Sequence, residues 1–401
     1  MRALTVILTL LTVVALGFVG WQFAMHARNG ASQSRAQPSL AIGPQVVAPQ
    51  PPPVATTTQA KEQPTEEDVI DWRELNSRAI RFLEQDLLDD AVSLFEECYE
   101  AVPTEDAFRK NLAEALARLA VRDHDSEQFV AEGALDALER AVELAPERTE
   151  LAQLLARWQR SEEAEEDFTV HQTLHFEISF DYKRTELSDE FYKTGDLETL
   201  LEDTYHEFGE RFAFFPVEAG SPRIRVVVYR RKAFETVTGL GSWVGGVFDG
   251  SVRVPIESLA KSQRSRLVRV LRHELMHAFV AEVGGAHVPG WLNEGLAQWY
   301  EPVGGAKAGP ARDRLRGHEL FRLEQLAGSL IGLEDPRDIE RAYAQSLAFV
   351  LHMRDQYGED VPFSLVKKLG QGLPLAASFE DLTRGITIET AIADLALSLD
   401  Q

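Results

Sequence analysis

Five consecutive residues, His273-Glu274-Leu275-Met276-His277, place three ionisable side chains in a stretch that is otherwise apolar nearly all round. Leu267, Val268, Val270 and Leu271 precede them and Ala278, Phe279 and Val280 follow. A helix that is apolar on every side is a buried one. Buried imidazoles and carboxylates are costly unless each finds a partner, and a single cation can serve all three. Histidines four residues apart lie one turn above each other, so both can reach one Zn²⁺. Glu274 is about 60° round the helix from His277, where it faces a water on the metal rather than the metal itself.

A catalytic zinc keeps three protein ligands and leaves its fourth position to water. The expected third ligand is Glu294, on a second helix from Trp291 to about Tyr300, entered through Gly284-Gly285 and Pro289-Gly290. A tight reversal between the two helices brings Glu294 against His273 and His277. The pattern that instead needs Gly and His three and six residues beyond the motif is excluded, because Val280 and Val283 stand there.

The motif with Pro289-Gly-Trp-Leu-Asn-Glu-Gly-Leu-Ala297 resembles the gluzincin metallopeptidases, most closely the bacterial peptidase MA-like domains that often follow tetratricopeptide repeats. The Trp-Leu-Asn-Glu-Gly stretch is also similar to the aminopeptidase N family. The resemblance covers about residues 170–401 and implies an α+β domain of a small mixed sheet plus helices. It also implies one zinc per chain on His273, His277 and Glu294, with Glu274 as the catalytic base. Two departures refine this. No Gly-Ala-Met-Glu-Asn stretch occurs upstream, so an endopeptidase is expected rather than an aminopeptidase. Relatives with an acid four residues after the ligand Glu have Gln298 here, an amide expected to accept the N–H of a ligand histidine as a weaker substitute.

The rest of the chain supplies the setting. Ala3 to Met25 carries no Asp, Glu, Lys or Arg and as a helix spans about 35 Å, which matches a hydrocarbon core with a little tilt. Residues 1–28 read as an uncleaved anchor, with a signal sequence as the alternative; the expected setting is a single pass with the catalytic domain extracytoplasmic, or secretion after cleavage. Residues 29–65, rich in Pro, Gln and Ala with the run Pro51-Pro52-Pro53, cannot bury a core and read as a disordered spacer. From 66 to 168 the chain reads as helical hairpins. Ala79, Phe82, Ala91, Phe95, Cys98 and Pro103 fall on the positions of a tetratricopeptide unit, which this segment resembles. A second copy runs from Ala113 and Leu116 through Ala134, Leu138 and Ala141 to Pro146, and a last helix, Leu151 to about Glu165, caps the stack. The spacing of Pro103 and Pro146 exceeds one repeat, and the polar stretch Asp123 to Glu127 takes up the extra length. The single Cys98 excludes an intramolecular disulfide and a cysteine-ligated zinc.

Charge narrows the partners. Between Lys61 and Val170 there are 30 acidic and 12 basic residues, which is most of the chain's net −23. That argues against nucleic acid and anionic lipid and leaves protein segments as partners of the repeats. In the second half, His175 to Phe180 and Arg223 to Tyr229 read as strands, Leu197 to Phe214 as a helix and Val247 to Pro255 as a hairpin. The resemblance implies that the hairpin's edge pairs with an extended peptide substrate. Arg341 to Tyr357 reads as a helix whose Tyr343 is a candidate oxyanion donor, with a packed core tyrosine as the alternative. His318 and His352 have no paired spacing. The function expected from these features is a membrane-anchored zinc peptidase whose repeats recruit protein. Its rivals are a non-catalytic adaptor with a structural zinc module and a zinc hydrolase of a cell-wall amide.

Overall fold

The computed structural model describes residues 71–124, 131–181, 196–217, 223–239, 245–256, 261–330, 333 and 335–399. The segments read as anchor and spacer, 1–28 and 29–65, lie outside them. Among the described residues the protein is a mostly helical α+β chain with 14 α-helices and one five-stranded mixed sheet. No described helix is long and apolar enough to cross a membrane. Two compact units divide at Trp158 and Gln159.

In the first unit, α1 (Trp72–Glu84) starts at Asp71, whose carboxylate accepts the N–H groups of Arg73 and Glu74. It is followed by α2 (Leu88–Ala101), α3 (Asp106–His124), α4 (Ala131–Leu144) and the first part of α5 (Thr149–Glu165), whose residues from Gln159 on belong to the second unit. Ala79, Ala91, Phe95, Cys98, Ala113, Leu116, Ala134, Leu138 and Ala141 are buried, while Phe82 is only half-buried and Leu83 takes the core position beside it. Asn111 Nδ2 donates to Asn76 Oδ1 at 3.0 Å, and Arg118 reaches the Leu83 carbonyl at 3.4 Å. Both links join α1 to α3 at a separation of 35 residues, so the two helices lie side by side in matching register. The extra length before α5 includes residues 125–130, outside the described ones.

The second unit is organised by its sheet, of order β1 (Thr169–Gln172), β2 (Phe176–Phe180), β3 (Ile224–Arg230), β5 (Val252–Ile256), β4 (Val247–Phe248). β2, β3 and β5 run parallel, and β1 and β4 pair antiparallel at the two edges. Side chains alternate across a strand. One set, Phe176, Ile178, Phe180, Val226, Val228, Val252, Val254 and Ile256, enters the main core with α6 (Asp196–Phe212) and α8 (Lys261–Gly284). The other set, Val227, Tyr229 and Val247, packs with Phe234 and Val237 of α7 (Arg231–Thr238). Beyond α8 follow α9 (Gly290–Tyr300), α10 (Ala308–Leu315), α11 (Pro336–Tyr357), α12 (Val361–Gly370), α13 (Leu375–Leu382) and α14 (Ile388–Leu399). Strand β1 and helices α7 and α10 have no counterpart in the sequence reading, because each is short and presents too little periodic apolar pattern.

Arg253 is 3% exposed on the sheet face away from α8, a position a cation occupies only when paired. Its guanidinium meets Glu165 at 2.6 Å and Asp249 at 3.1 Å, Arg225 reaches Glu165 at 2.6 Å, and the Tyr229 hydroxyl also binds Glu165. Burial alone would raise the Glu165 pKa, but Arg253 and Arg225 outweigh it and bring it down to about 2 from the usual 4.5. The stabilisation from this depressed value is full above pH 4.5 and is lost as the pH falls toward 2, about 3 kcal/mol in all. A Glu165→Gln protein is expected to lose about 3 kcal/mol at pH 7 and to show a flatter dependence of stability between pH 5 and 2, read by urea unfolding. Equal stability of the two proteins at pH 7 would show that Asp249 alone neutralises Arg253.

Candidate metal centre

α8 is held from several sides. Arg272, 3% exposed, donates to the Tyr300 carbonyl at 2.9 Å and to Glu207 of α6 at 2.8 Å, tying α8 to both neighbours. On the neighbouring side of the helix, Arg269, His273 and His277 follow one another at four-residue steps and form a line facing α9. The reversal between α8 and α9 is a single 3₁₀ turn, Gly285–His287, with Pro289 in extended conformation at the start of α9.

This packing brings His273, His277 and Glu294 together, with one ligand atom of each within 4.8 Å of the others. Glu294 Oε2 lies 3.7 Å from His273 Nε2 and 3.9 Å from His277 Nε2. Tetrahedral zinc, with bonds of about 2.0–2.1 Å, holds its ligand atoms about 3.3 Å apart. The two carboxylate–imidazole distances exceed that by only about 0.4 and 0.6 Å, which a small movement of the Glu294 side chain closes. Several atoms aimed into the centre are buried without a hydrogen-bond partner: His277 Nε2, both oxygens of Glu294, Glu274 Oε2 and the Tyr343 hydroxyl. Orphaned donors and acceptors of this kind are rare in folded chains, and a cation with its water satisfies them together. Two imidazoles and one carboxylate make a donor set suited to zinc.

An outer partner sets the tautomer of His277. Asn293 Oδ1 lies 2.9 Å from His277 Nδ1 and, being an acceptor, puts the proton there and leaves Nε2 with its lone pair toward Glu294. His273 Nδ1 is buried without a hydrogen-bond partner; the nearest carboxylate is Glu301, whose Oε2 stands 3.7 Å away and which is itself gripped by Arg269 at 2.5 Å. Gln298 does not play the part expected of it. Its amide nitrogen donates to the backbone carbonyls of Glu294 and Tyr343, at 3.1 and 3.0 Å, and so joins α9 to α11. A residue four after Glu294 is one turn along and rotated by about 40° in an α-helix, whereas Glu301, seven after it, returns to within about 20° of the ligand's own direction. Asn293 and Glu301 had a signal in the sequence, their place beside and two turns beyond Glu294, which only a known helix direction makes legible.

Two glycines permit the close approaches. At Gly295 an added Cβ would stand 2.6 Å from the Ser346 carbonyl and 2.4 Å from Val350, so α9 and α11 meet backbone to backbone and Tyr343 comes alongside Glu294. At Gly246, just before β4, it would stand 3.1 Å from Glu274 Oε1 and 2.6 Å from Val270, so the chain entering the edge strand lies directly over the Glu274 carboxylate. Tyr343 is therefore in the centre, 7% exposed, and His352 is buried elsewhere on α11 while His318 is exposed.

The charges of the centre strain against each other. Burial, with help from Glu294 and Glu301, pushes Glu274 up to about 8. Burial likewise raises Glu294 to about 7 against the pull of His273. Burial opposes charge on His273, yet its contact with Glu301 and the negative Glu274 and Glu294 carry it up to about 9. His277, buried and beside that cation, falls to about 3. Burial keeps the Tyr343 hydroxyl protonated, its pKa well above the ordinary phenol value.

These values imply how an ion would enter. At pH 7 His273 holds a proton and Glu294 holds one about half the time, and both atoms must be bare to act as ligands. Glu274, raised to about 8, also gives up its proton beside a cation, so zinc binding at pH 7 is expected to release between two and three protons, and affinity to fall by more than tenfold from pH 7 to pH 6. Calorimetry in buffers of different ionisation enthalpy, on the ion that Glu294→Ala abolishes, reads both. Compared with protein-family models and with curated proteins, the chain matches none.

Proposed function

We propose that the chain is a zinc-dependent peptidase of the gluzincin kind, with His273, His277 and Glu294 as ligands and Glu274 as general base. The observation that carries the reading is the buried Glu274 carboxylate. It is 2% exposed, with one oxygen unpartnered, on the turn of α8 between two histidines that converge with Glu294. A structural zinc site needs ligands and has no use for such a base, which speaks against the adaptor reading.

Bound zinc supplies a Lewis acid for the scissile carbonyl and acidifies water toward neutrality. Glu274 accepts the proton of the attacking water and passes it to the leaving amine. A nearby cation also lowers the Glu274 pKa from its metal-free value of about 8, so the base is ionised at neutral pH. Tyr343, kept protonated, is the hydrogen-bond donor for the developing oxyanion. β4 is the edge strand of the sheet and Gly246 lays its entry over Glu274, so an extended peptide adding to that edge would pass the base. The register-matched pairing of α1 with α3 supports a tetratricopeptide-like stack, whose place in the function is to recruit protein substrate or a partner. The anchor and the extracytoplasmic setting belong to the same proposal and rest on residues 1–28 of the sequence.

Zinc-loaded protein is expected to hydrolyse an unfolded protein such as casein internally, and Glu274→Gln to lower kcat/KM by about 10³-fold or more while keeping its zinc. Tyr343→Phe is expected to lower kcat by about 10–10³-fold with little change in KM. The acid limb of the kcat/KM profile should lie below pH 8. Release of products from cell-wall fragments but not from protein would move the substrate to a non-peptide amide. Full-rate hydrolysis by Glu274→Gln would remove Glu274 as base, and an inert zinc-loaded protein that still captures a partner would leave the adaptor.

A further inference from the structure

A second set of metal donors lies elsewhere in the unit that holds the sheet. His175, in the turn between β1 and β2, meets Glu202 and His206 of α6, and one ligand atom of each lies within 4.8 Å of the others. We infer that His175, Glu202 and His206 form a second site for a borderline divalent cation such as Zn²⁺, stapling the β1–β2 hairpin to α6.

The donors are organised. Glu198, Glu202 and His206 follow at four-residue steps and so form one line along α6. That line faces two histidines of the hairpin, with His171 Nδ1 3.4 Å from Glu198 and His175 Nδ1 2.5 Å from Glu202. Residues of α6 that meet α8, such as Thr204 and Phe208, point well away from it, so the set is separate from the centre on α8. His175 is 8% exposed and stacks flat on Tyr205, with centroids 3.9 Å apart, which fixes its ring plane. Glu202 Oε1 is held by Thr173 Oγ1 at 2.5 Å and by the His175 N–H at 3.1 Å, so the other oxygen, Oε2, is aimed at the imidazole. His206 is exposed and stands edge-on to His175 at 5.4 Å and 90°, close to the 4.8 Å and 83° between His273 and His277.

A plain carboxylate–imidazole pair has no need of the third donor. Two imidazoles and a carboxylate select zinc or a similar ion over magnesium or calcium, which prefer oxygen. Zinc would take the place of the proton that His175 and Glu202 share, and their 2.5 Å contact would open to about 3.3 Å. One open position remains on the solvent side beside His206. The inference does not rest on the function proposed above.

Metal-free full-length protein, titrated with Zn²⁺ against a chromophoric chelator, tests it. About two ions per chain are expected for the wild type, one for Glu294→Ala, one for His206→Ala and none for the double variant. His206 is exposed and makes only edge contacts with neighbouring rings, so its replacement is expected to leave the metal-free fold intact and to change the melting temperature little. The zinc-dependent rise in melting temperature of Glu294→Ala is expected to vanish when His206→Ala is added. A His206→Ala protein that binds as many ions as the wild type, or a Glu294→Ala protein that binds none, would overturn the second site and leave His175 and Glu202 a hydrogen-bonded pair.

Discussion

Putting charge into a buried helix is the constraint from which the rest of this domain follows. His273, Glu274 and His277 sit in α8 among Leu271, Leu275, Met276 and Phe279, all within 1% of full burial. Each of the three is costly there without compensation. Compensation comes from separate elements: Asn293, Glu294 and Glu301 from α9, Tyr343 from α11, and a backbone approach at Gly246 from the hairpin. The raised Glu274 and Glu294 and the divergent His273 and His277 are the residue of that problem in the protein alone. A divalent cation would draw Glu274, Glu294 and His273 back down together, and His277 is already bare of its second proton.

The same logic operates across the sheet. Arg253 lies buried on the face away from α8, and Glu165 and Asp249 neutralise it. Asp249 belongs to the turn of the β4–β5 hairpin, a few residues from Gly246, so the network that anchors the hairpin also fixes the backbone laid over Glu274. Asp249 is in addition among the charges that raise Glu274. Two buried polar clusters on opposite faces thus share one short hairpin, and the edge strand at its start is held in place from both.

Long elements with a strong pattern were legible without coordinates. The helix at Arg341–Tyr357 begins one turn earlier than expected, at Pro336, because Asp335 caps it and proline is favoured at the first position. The strands at 176–180 and 224–230 and the helices at 196–212 and 290–300 lie within two residues of expectation. Short elements were not legible. β1 has four residues and pairs only at the edge, and α7 and α10 have eight each, too few for a helical period to stand out. In the centre, the residue types and spacing of His273, His277 and Glu294 pointed to each other. The outer partners did not, since Gln298 on the last turn of α9 and Glu301 capping its end are both polar and separated only by which way the helix is rotated.

By itself, then, the amino-acid sequence determined the periodic helices, the alternating strands and the pairing of His273 with His277 on one helical face, because these follow from spacing along one element. The tertiary structure alone decided that Glu301 and not Gln298 stands beside His273, that the glycine contact at Gly295 brings Tyr343 alongside Glu294, and that Gly246 lies over Glu274. Each depends on the rotation and distance of one element against another, which packing sets and no local pattern encodes.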